Sequence, residues 1–189
     1  MGYEWGGLAH RALSTFDGTQ YAIGVLSLPN FGRREELVID GVPVGRMLHD
    51  YGKEPASPDE GSIVIVIGTD IPLSHRQLAR IARRVSFGIA RTGGTCHNGS
   101  GEFVITFSTA NRIPDDPKRV FLNEQRLNDA HSAINDVFKA TIEAVEESIL
   151  SAIFSAKSII GEEGHRCTAL PIAKLLSLLT SSSSLSYLD

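Results

Sequence analysis

Residues 62–67 read Ser-Ile-Val-Ile-Val-Ile, one serine followed by five β-branched apolar residues. Such side chains are stiff at χ1 and suit a pleated strand. Successive strand residues point to opposite faces, so an unbroken apolar run has no face for water. The run therefore predicts a strand buried on both sides, which in turn requires a packed layer on each face of its sheet. Just before it, residues 50–61 (DYGKEPASPDEG) are polar and rich in Pro, Gly, Asp and Glu, the composition of a loop or linker. The chain thus passes abruptly from loop to rigid strand at Gly61-Ser62.

Other segments alternate in kind. Residues 20–28 (QYAIGVLSL) predict a strand that ends at Pro29, and residues 36–40 a further extended piece closed by an Asp40-Gly41 turn. A single helix is expected from an N-cap at Ser74, with Gln77 as capping-box partner, to Gly93 just past its end. Leu78, Ile81, Ala82, Val85 and Ile89 form its apolar face. Arg76, Arg80, Arg83, Arg84 and Arg91 make up the polar remainder, the usual dress of a solvated helix face. Residues 102–109 predict another strand, residues 128–156 a long helix, and a short helix starts near Pro171. Ser181 to Ser184 reads as a frayed tail. The alternation argues for layered α/β (α+β) packing with sheet inside and helices outside, in one domain covering residues 1–189.

Composition narrows the function classes. With 42% apolar and 21% charged residues the chain is an ordinary globular sequence. Its net charge of −4 gives no overall attraction to nucleic acid. No apolar run approaches the roughly 18 residues that read as a membrane span. The first residues, Met1-Gly2-Tyr3-Glu4-Trp5, lack the basic and apolar regions of a signal peptide. Cys96 and Cys167 have no metal-ligand spacing and read as reduced thiols of a cytoplasmic protein.

Four local features carry candidate chemistry. A serine after a small residue, where a loop meets a strand, can attack its own preceding carbonyl. Cleavage between Gly61 and Ser62 would give Ser62 an α-amine of pKa about 8, able to deprotonate its own hydroxyl. The Asn30 amide, at a strand end, can donate to an oxyanion, although an Asx turn after Pro29 is the commoner reason for such an asparagine. Ser100 and Glu102, two residues apart in Asn98-Gly99-Ser100-Gly101-Glu102, share one strand face and form a candidate polar pair, if the segment is not just a turn. Cys96-His97 invites a thiol-protease reading, but chain neighbours rarely point at each other.

Taken together the motifs are familiar. Residues 29–46 (PNFGRREELVIDGVPVGR), 61–84 (GSIVIVIGTDIPLSHRQLARIARR) and 88–112, with GIARTGG and NGSGEFVITFSTANR, resemble the P1 or DmpA-like family of peptidases. So do residues 143–165 (EAVEESILSAIFSAKSIIGEEGH) and 169–179 (ALPIAKLLSLL). Its members are L-aminopeptidase/D-esterases and β-peptidyl aminopeptidases. The resemblance runs over residues 20–180, with motifs in order.

The resemblance implies a four-layer α-β-β-α sandwich similar to N-terminal nucleophile hydrolases. It also implies self-cleavage before Ser62, dividing the chain into residues 1–61 and a small catalytic part, residues 62–189. Asn30 would contribute to the oxyanion hole, and Ser100 and Glu102 would support the nucleophile. No cofactor or metal is implied. Expected partners are short peptides or amino-acid amides and esters as substrates, and further copies of the chain in a homo-oligomer, with neither nucleic acid nor membrane. Family precursors carry a longer segment ahead of the Asn30 strand, with a glycine-rich stretch and a pocket tyrosine, and residues 1–14 do not match it. The sandwich is therefore expected to be incomplete at its N-terminus and to expose apolar sheet. Two other classes follow: a truncated, non-catalytic remnant acting only through association with another chain, and an amidase for non-peptide amides.

Overall fold

The computed structural model describes residues 6–14, 18–48, 51, 60–115, 118, 120–161 and 166–183. Four strands, β1 (Gly7–Ser14), β2 (Gln20–Asn30), β3 (Glu60–Thr69) and β4 (Gly99–Ser108), form one sheet in that order. β1, β2 and β3 pair antiparallel, whereas β3 and β4 are parallel. A parallel pair needs a crossover. Helices α2 (His75–Ala82) and α3 (Val85–Arg91) supply it. Between β2 and β3 lie a 3-10 turn (Arg34–Glu36) and the one-turn helix α1 (Val44–Met47). After β4 come the long helix α4 (Ala133–Ser155), a small ribbon of β5 (Ile159–Ile160) and β6 (Arg166–Cys167), and α5 (Ile172–Ser183).

Strand alternation sorts the sheet into two unlike faces. On one, cross-strand rows run Gly7–Ser27–Ile65–Val104, Ala9–Val25–Ile67–Thr106 and Pro29–Ile63–Glu102. Ile63, Ile65 and Ile67 are at most 1% exposed and share one core with Ile81, Val85 and Ile89 of the crossover and Val137, Val145 and Ile149 of α4. Each such isoleucine contributes about 1.5–3 kcal/mol by leaving water. On the other face, Leu8–Leu26–Val66–Ile105 and Leu28–Val64–Phe103 make continuous apolar rows. There Leu26, Phe103 and Ile105 are more than half exposed.

That second face corrects the expectation that β3 is buried on both sides. Among the described residues one helix layer covers one sheet. The apolar character of Val64 and Val66 matches a covering layer that these residues do not provide, which is the exposed sheet surface expected from the resemblance. β1 also departs from the reading of the N-terminus, since residues 7–14 are a fully paired strand.

Other elements differ in detail. β2 runs through Pro29 to Asn30, because β1 pairs no further than Ser27 and a missing N–H on that open edge breaks no ladder. Asp40 and Gly41, with φ of 50° and 75°, close the turn between bridged Ile39 and Val42. Glu36 itself ends the 3-10 turn rather than starting a strand. The capping box at Ser74 forms, with both reciprocal bonds to Gln77. The helix after it breaks at Arg83 and Arg84, where the Arg84 N–H turns back to the Ile81 carbonyl. The Arg84 guanidinium lies 3.9 Å over the Phe138 ring. Arg76 and Arg80 bind Asp129, and Arg91 binds Glu146. α4 starts at Ala133, later than expected, and Ser181–Ser183 continue α5 instead of fraying. Of the loop at 50–61, residues 50 and 52–59 lie outside the described residues, and the strand has begun by Glu60.

The sheet and α4 meet most closely at Gly7, where a Cβ would lie 1.7 Å from the Ser148 carbonyl oxygen. Backbone cannot yield as a flexible side chain would. Gly7→Ala is expected to push β1 off α4 and lower stability by about 1–3 kcal/mol. Urea unfolding should show a lower midpoint with an unchanged slope.

Candidate active site

The two strand ends that carry Asn30 and Ser62 meet at one corner of the sheet. Asn30, the last residue of β2, is the cross-strand partner of Ser62, near the start of β3, and Ser62 is partnered in turn by Gly101 of β4. This row belongs to the uncovered face, one step beyond Leu28–Val64–Phe103. Ser62 is half-buried. A Cβ on Gly101 would stand 3.6 Å from Ser62 Oγ, so the absent side chain leaves the flank of the hydroxyl open.

Gly61 holds the preceding peptide tightly. A Cβ there would come 2.7 Å from the Asn30 carbonyl oxygen and 2.9 Å from Phe31 Cα. The Gly61-Ser62 peptide therefore runs against the Asn30-Phe31 backbone with no room for any larger residue. The Ser62 residue, the Gly61-Ser62 peptide and Asn30 are brought into one neighbourhood by antiparallel pairing alone.

Ser100 and Glu102 are paired as expected, the Ser100 hydroxyl donating to Glu102 Oε1 at 3.2 Å. They flank Gly101, the register partner of Ser62, and so point to the helix side, across the sheet from its hydroxyl. What lies between the two sets is the backbone at Ser62, in the plane of the sheet.

Around this carboxylate is a group that sequence reading did not assemble. The Cys96 thiol donates to Glu102, and its pKa is raised, first by lost hydration and then by that bond and the carboxylate charge. A thiol so placed is held protonated, which opposes the nucleophilic cysteine considered for Cys96-His97. His97 turns elsewhere, its Nε2 lying 3.0 Å from Glu36 Oε2 and 3.1 Å from Thr95 Oγ1. Glu36 and His97 are 61 residues apart, and no local spacing announces the pair.

At this corner Asn30 and Phe103 are exposed, and Ser62 and Gly101 are half-buried. A cavity of about 600 Å³ lies at the other end of the sheet between Tyr21, Ile71, Leu127 and Val137, away from every candidate residue. Among the described residues no three or more His, Cys, Asp or Glu side chains converge as metal ligands. No described helix is long and apolar enough to cross a membrane.

Comparison with known proteins gives the family and the fold. The chain is 35% identical to the beta-peptidyl aminopeptidase BapA of Sphingosinicella microcystinivorans, over 95% of this chain and 48% of that protein. Among solved structures, the PH0078 protein from Pyrococcus horikoshii OT3 matches with TM-score 0.84 and 41% identity, over 96% of this chain and 49% of that one. The L-aminopeptidase D-Ala-esterase/amidase of Ochrobactrum anthropi, a prototype serine aminopeptidase with a variant of the Ntn hydrolase fold, matches with TM-score 0.84 and 34% identity, over 96% and 49%. The chain thus shares the Ntn hydrolase fold and spans about half the length of the relatives it matches. The model of peptidase family S58 matches residues 6–167, so β1, absent from the resemblance traced by motif, is included. By family match and shared fold alike, the chain belongs to peptidase family S58.

Proposed function

We propose that this chain carries the nucleophile of a self-maturing serine aminopeptidase. The observation that supports this most directly is the seating of the Gly61-Ser62 peptide against Asn30, in a family S58 chain whose relatives are named as aminopeptidases. In maturation, Ser62 Oγ attacks the Gly61 carbonyl carbon and the C–N bond breaks. The former peptide nitrogen leaves as the α-amine of Ser62, which gains a proton. Water then hydrolyses the Gly61 ester, leaving a carboxylate on residues 1–61 and a free serine hydroxyl on residues 62–189.

The mature Ser62 then acts on substrates. Its α-amine, of pKa about 8, accepts the hydroxyl proton as Oγ attacks the carbonyl of a substrate's first residue. The amide or ester bond then breaks, the leaving amine or alcohol takes that proton, and water hydrolyses the ester on Ser62 to free the first residue. Asn30 donates to the oxyanion, a contact worth about 3 kcal/mol in comparable sites. Glu102, with Ser100 bonded to it, acts from the other side of β4 on the backbone nitrogen rather than on the hydroxyl, holding the ammonium that forms. The substrate class is short peptides or amino-acid amides and esters, handled in a cytoplasmic homo-oligomer without cofactor.

A second reading, a remnant acting only in association with another chain, is favoured by one observation. Leu8, Phe103 and Ile105 on the face that carries Ser62 are 69%, 66% and 59% exposed. So wide an apolar surface calls for cover.

Intact mass of the purified chain separates the two. Self-maturation yields pieces ending at Gly61 and beginning at Ser62, and Ser62→Ala yields a single uncut chain. An uncut wild type would put the associating remnant first. If the wild type cuts, Asn30→Ala should slow the cut by about 100-fold or more, as loss of an oxyanion donor does. Gly61→Ala should slow it too, because its Cβ displaces the scissile peptide from the Asn30 carbonyl; an unchanged rate would show that this close seating is not needed.

A further inference from the structure

The loop that leads into β4 is held by a contact that neither strand pairing nor the proposed chemistry requires. His97 Nε2 faces the Glu36 carboxylate at 3.0 Å, and Thr95 Oγ1 reaches both, 3.1 Å from the imidazole and 3.5 Å from Glu36 Oε1. A carboxylate only accepts, so the imidazole nitrogen donates to it. Both side chains are about three-quarters buried, at 26% and 24% exposure. A charge-assisted bond so sheltered is stronger than its surface equivalent.

The contact joins two loops that each carry a candidate site residue. Glu36 closes the 3-10 turn that follows Asn30 and Phe31. His97 accepts, through its carbonyl, the N–H of Ser100 at 2.7 Å, and so abuts the first turn of the Ser100–Glu102 strand. The backbones also interlock. A Cβ on Gly93 would meet the Glu36 carbonyl oxygen at 1.7 Å, and the Val38 N–H donates to the Thr92 carbonyl. Between these anchors Cys96 is forced to φ of 51°, a conformation that a non-glycine residue keeps only when its surroundings hold it.

We propose that Glu36, His97 and Thr95 form a latch that docks the 95–99 loop on the segment after Asn30 and thereby fixes Ser100 and Glu102, with Cys96 near Glu102, at the start of the strand that pairs with Ser62. Its catalytic meaning rests on Ser62 being the nucleophile, whereas its effect on the loop does not. The three are positioning residues, since none lies in the row of the reacting atoms. Without the latch, the loop would keep its strand hydrogen bonds but lose the tie that spans from one site loop to the other.

Two readouts on the full chain test this separately. The first is the rate of self-cutting in His97→Ala, Glu36→Ala and the double variant, beside thermal unfolding. Each single change should slow the cut about tenfold, as loss of one charge-assisted bond does, and the double should be no slower, because both remove one contact. His97→Gln, which keeps a donor toward Glu36, should recover most of the rate. The second is alkylation of Cys96 by iodoacetamide at pH 8, located by peptide mass so that Cys167 does not interfere. Burial first, and then the bond and charge of Glu102, raise the Cys96 thiol pKa. Removing that charge in Glu102→Gln should lower the Cys96 pKa and speed alkylation, and unlatching should speed it in the same direction by freeing the loop.

Cys96 alkylation at the wild-type rate in His97→Ala and Glu36→Ala would overturn the latch, whether or not the chain cuts itself. So would a wild type that cuts and singles that cut as fast, a double variant with multiplied losses, or a His97→Gln as slow as His97→Ala at equal thermal stability. A wild type that never cuts would remove Ser62 from its proposed role and leave the thiol readout to decide the latch alone.

Discussion

Everything in this fold hangs on the pairing of β3 with a strand on each side. It is the most apolar strand of the sheet, it is flanked by antiparallel β2 and parallel β4, and its alternate isoleucines form the floor of the core. Parallel pairing with β4 forces a crossover, and the crossover helices, packed against α4, complete the cover over those isoleucines. The same alternation delivers Ser62, Val64 and Val66 to the opposite face. A slip of one residue in the β2–β3 register would exchange the two sets, burying the serine and turning three isoleucines to water. The core and the position of the candidate nucleophile are therefore a single constraint.

From that register the rest of the corner follows. Asn30 comes to Ser62 because the strand runs past Pro29 by one residue, and glycines at 61 and 101 leave the space that side chains would fill. Neither glycine has a positive φ. Their demand is for closeness, unlike that of Gly93, which combines φ of 91° with contact to the Glu36 carbonyl. Ser100 and Glu102 flank Gly101, the partner of Ser62, on the opposite face of the sheet. A hydroxyl on one face and a carboxylate on the other suit a centre whose base is a main-chain nitrogen lying between them.

Much of this was legible in the sequence where the signal was local. The five β-branched residues, the Ser74 capping box, the Asp40-Gly41 turn and the periodicity of α4 are written within a few positions of one another, and each formed. The motifs around Asn30, Ser62 and Ser100 carried the family through resemblance. Signals failed where distant packing decides. The helix break at Arg83 and Arg84 answers to Phe138 on α4, the passage of β2 through Pro29 depends on where β1 stops, and Glu36 meets His97 only because Gly93 lets two loops touch. β1 went unrecognised because alternation in Gly-Leu-Ala-His-Arg-Ala-Leu-Ser is weak, with Gly7 and Ala9 as its only fully buried residues. They are small because α4 lies directly on them.

The bare face carries a further consequence for chemistry. Leu28, Val64 and Phe103 form the row next to Asn30–Ser62–Gly101, and all three are exposed in this chain. In water an asparagine amide gains little by facing an oxyanion, since solvent competes for the same charge. Beneath a covering layer the effective dielectric falls and the same donor counts for several times more. The residues that leave the lone chain with exposed apolar sheet are thus the ones that would keep the site dry once covered. On the proposed mechanism, cover would strengthen the Asn30 contact beyond its worth in the lone chain.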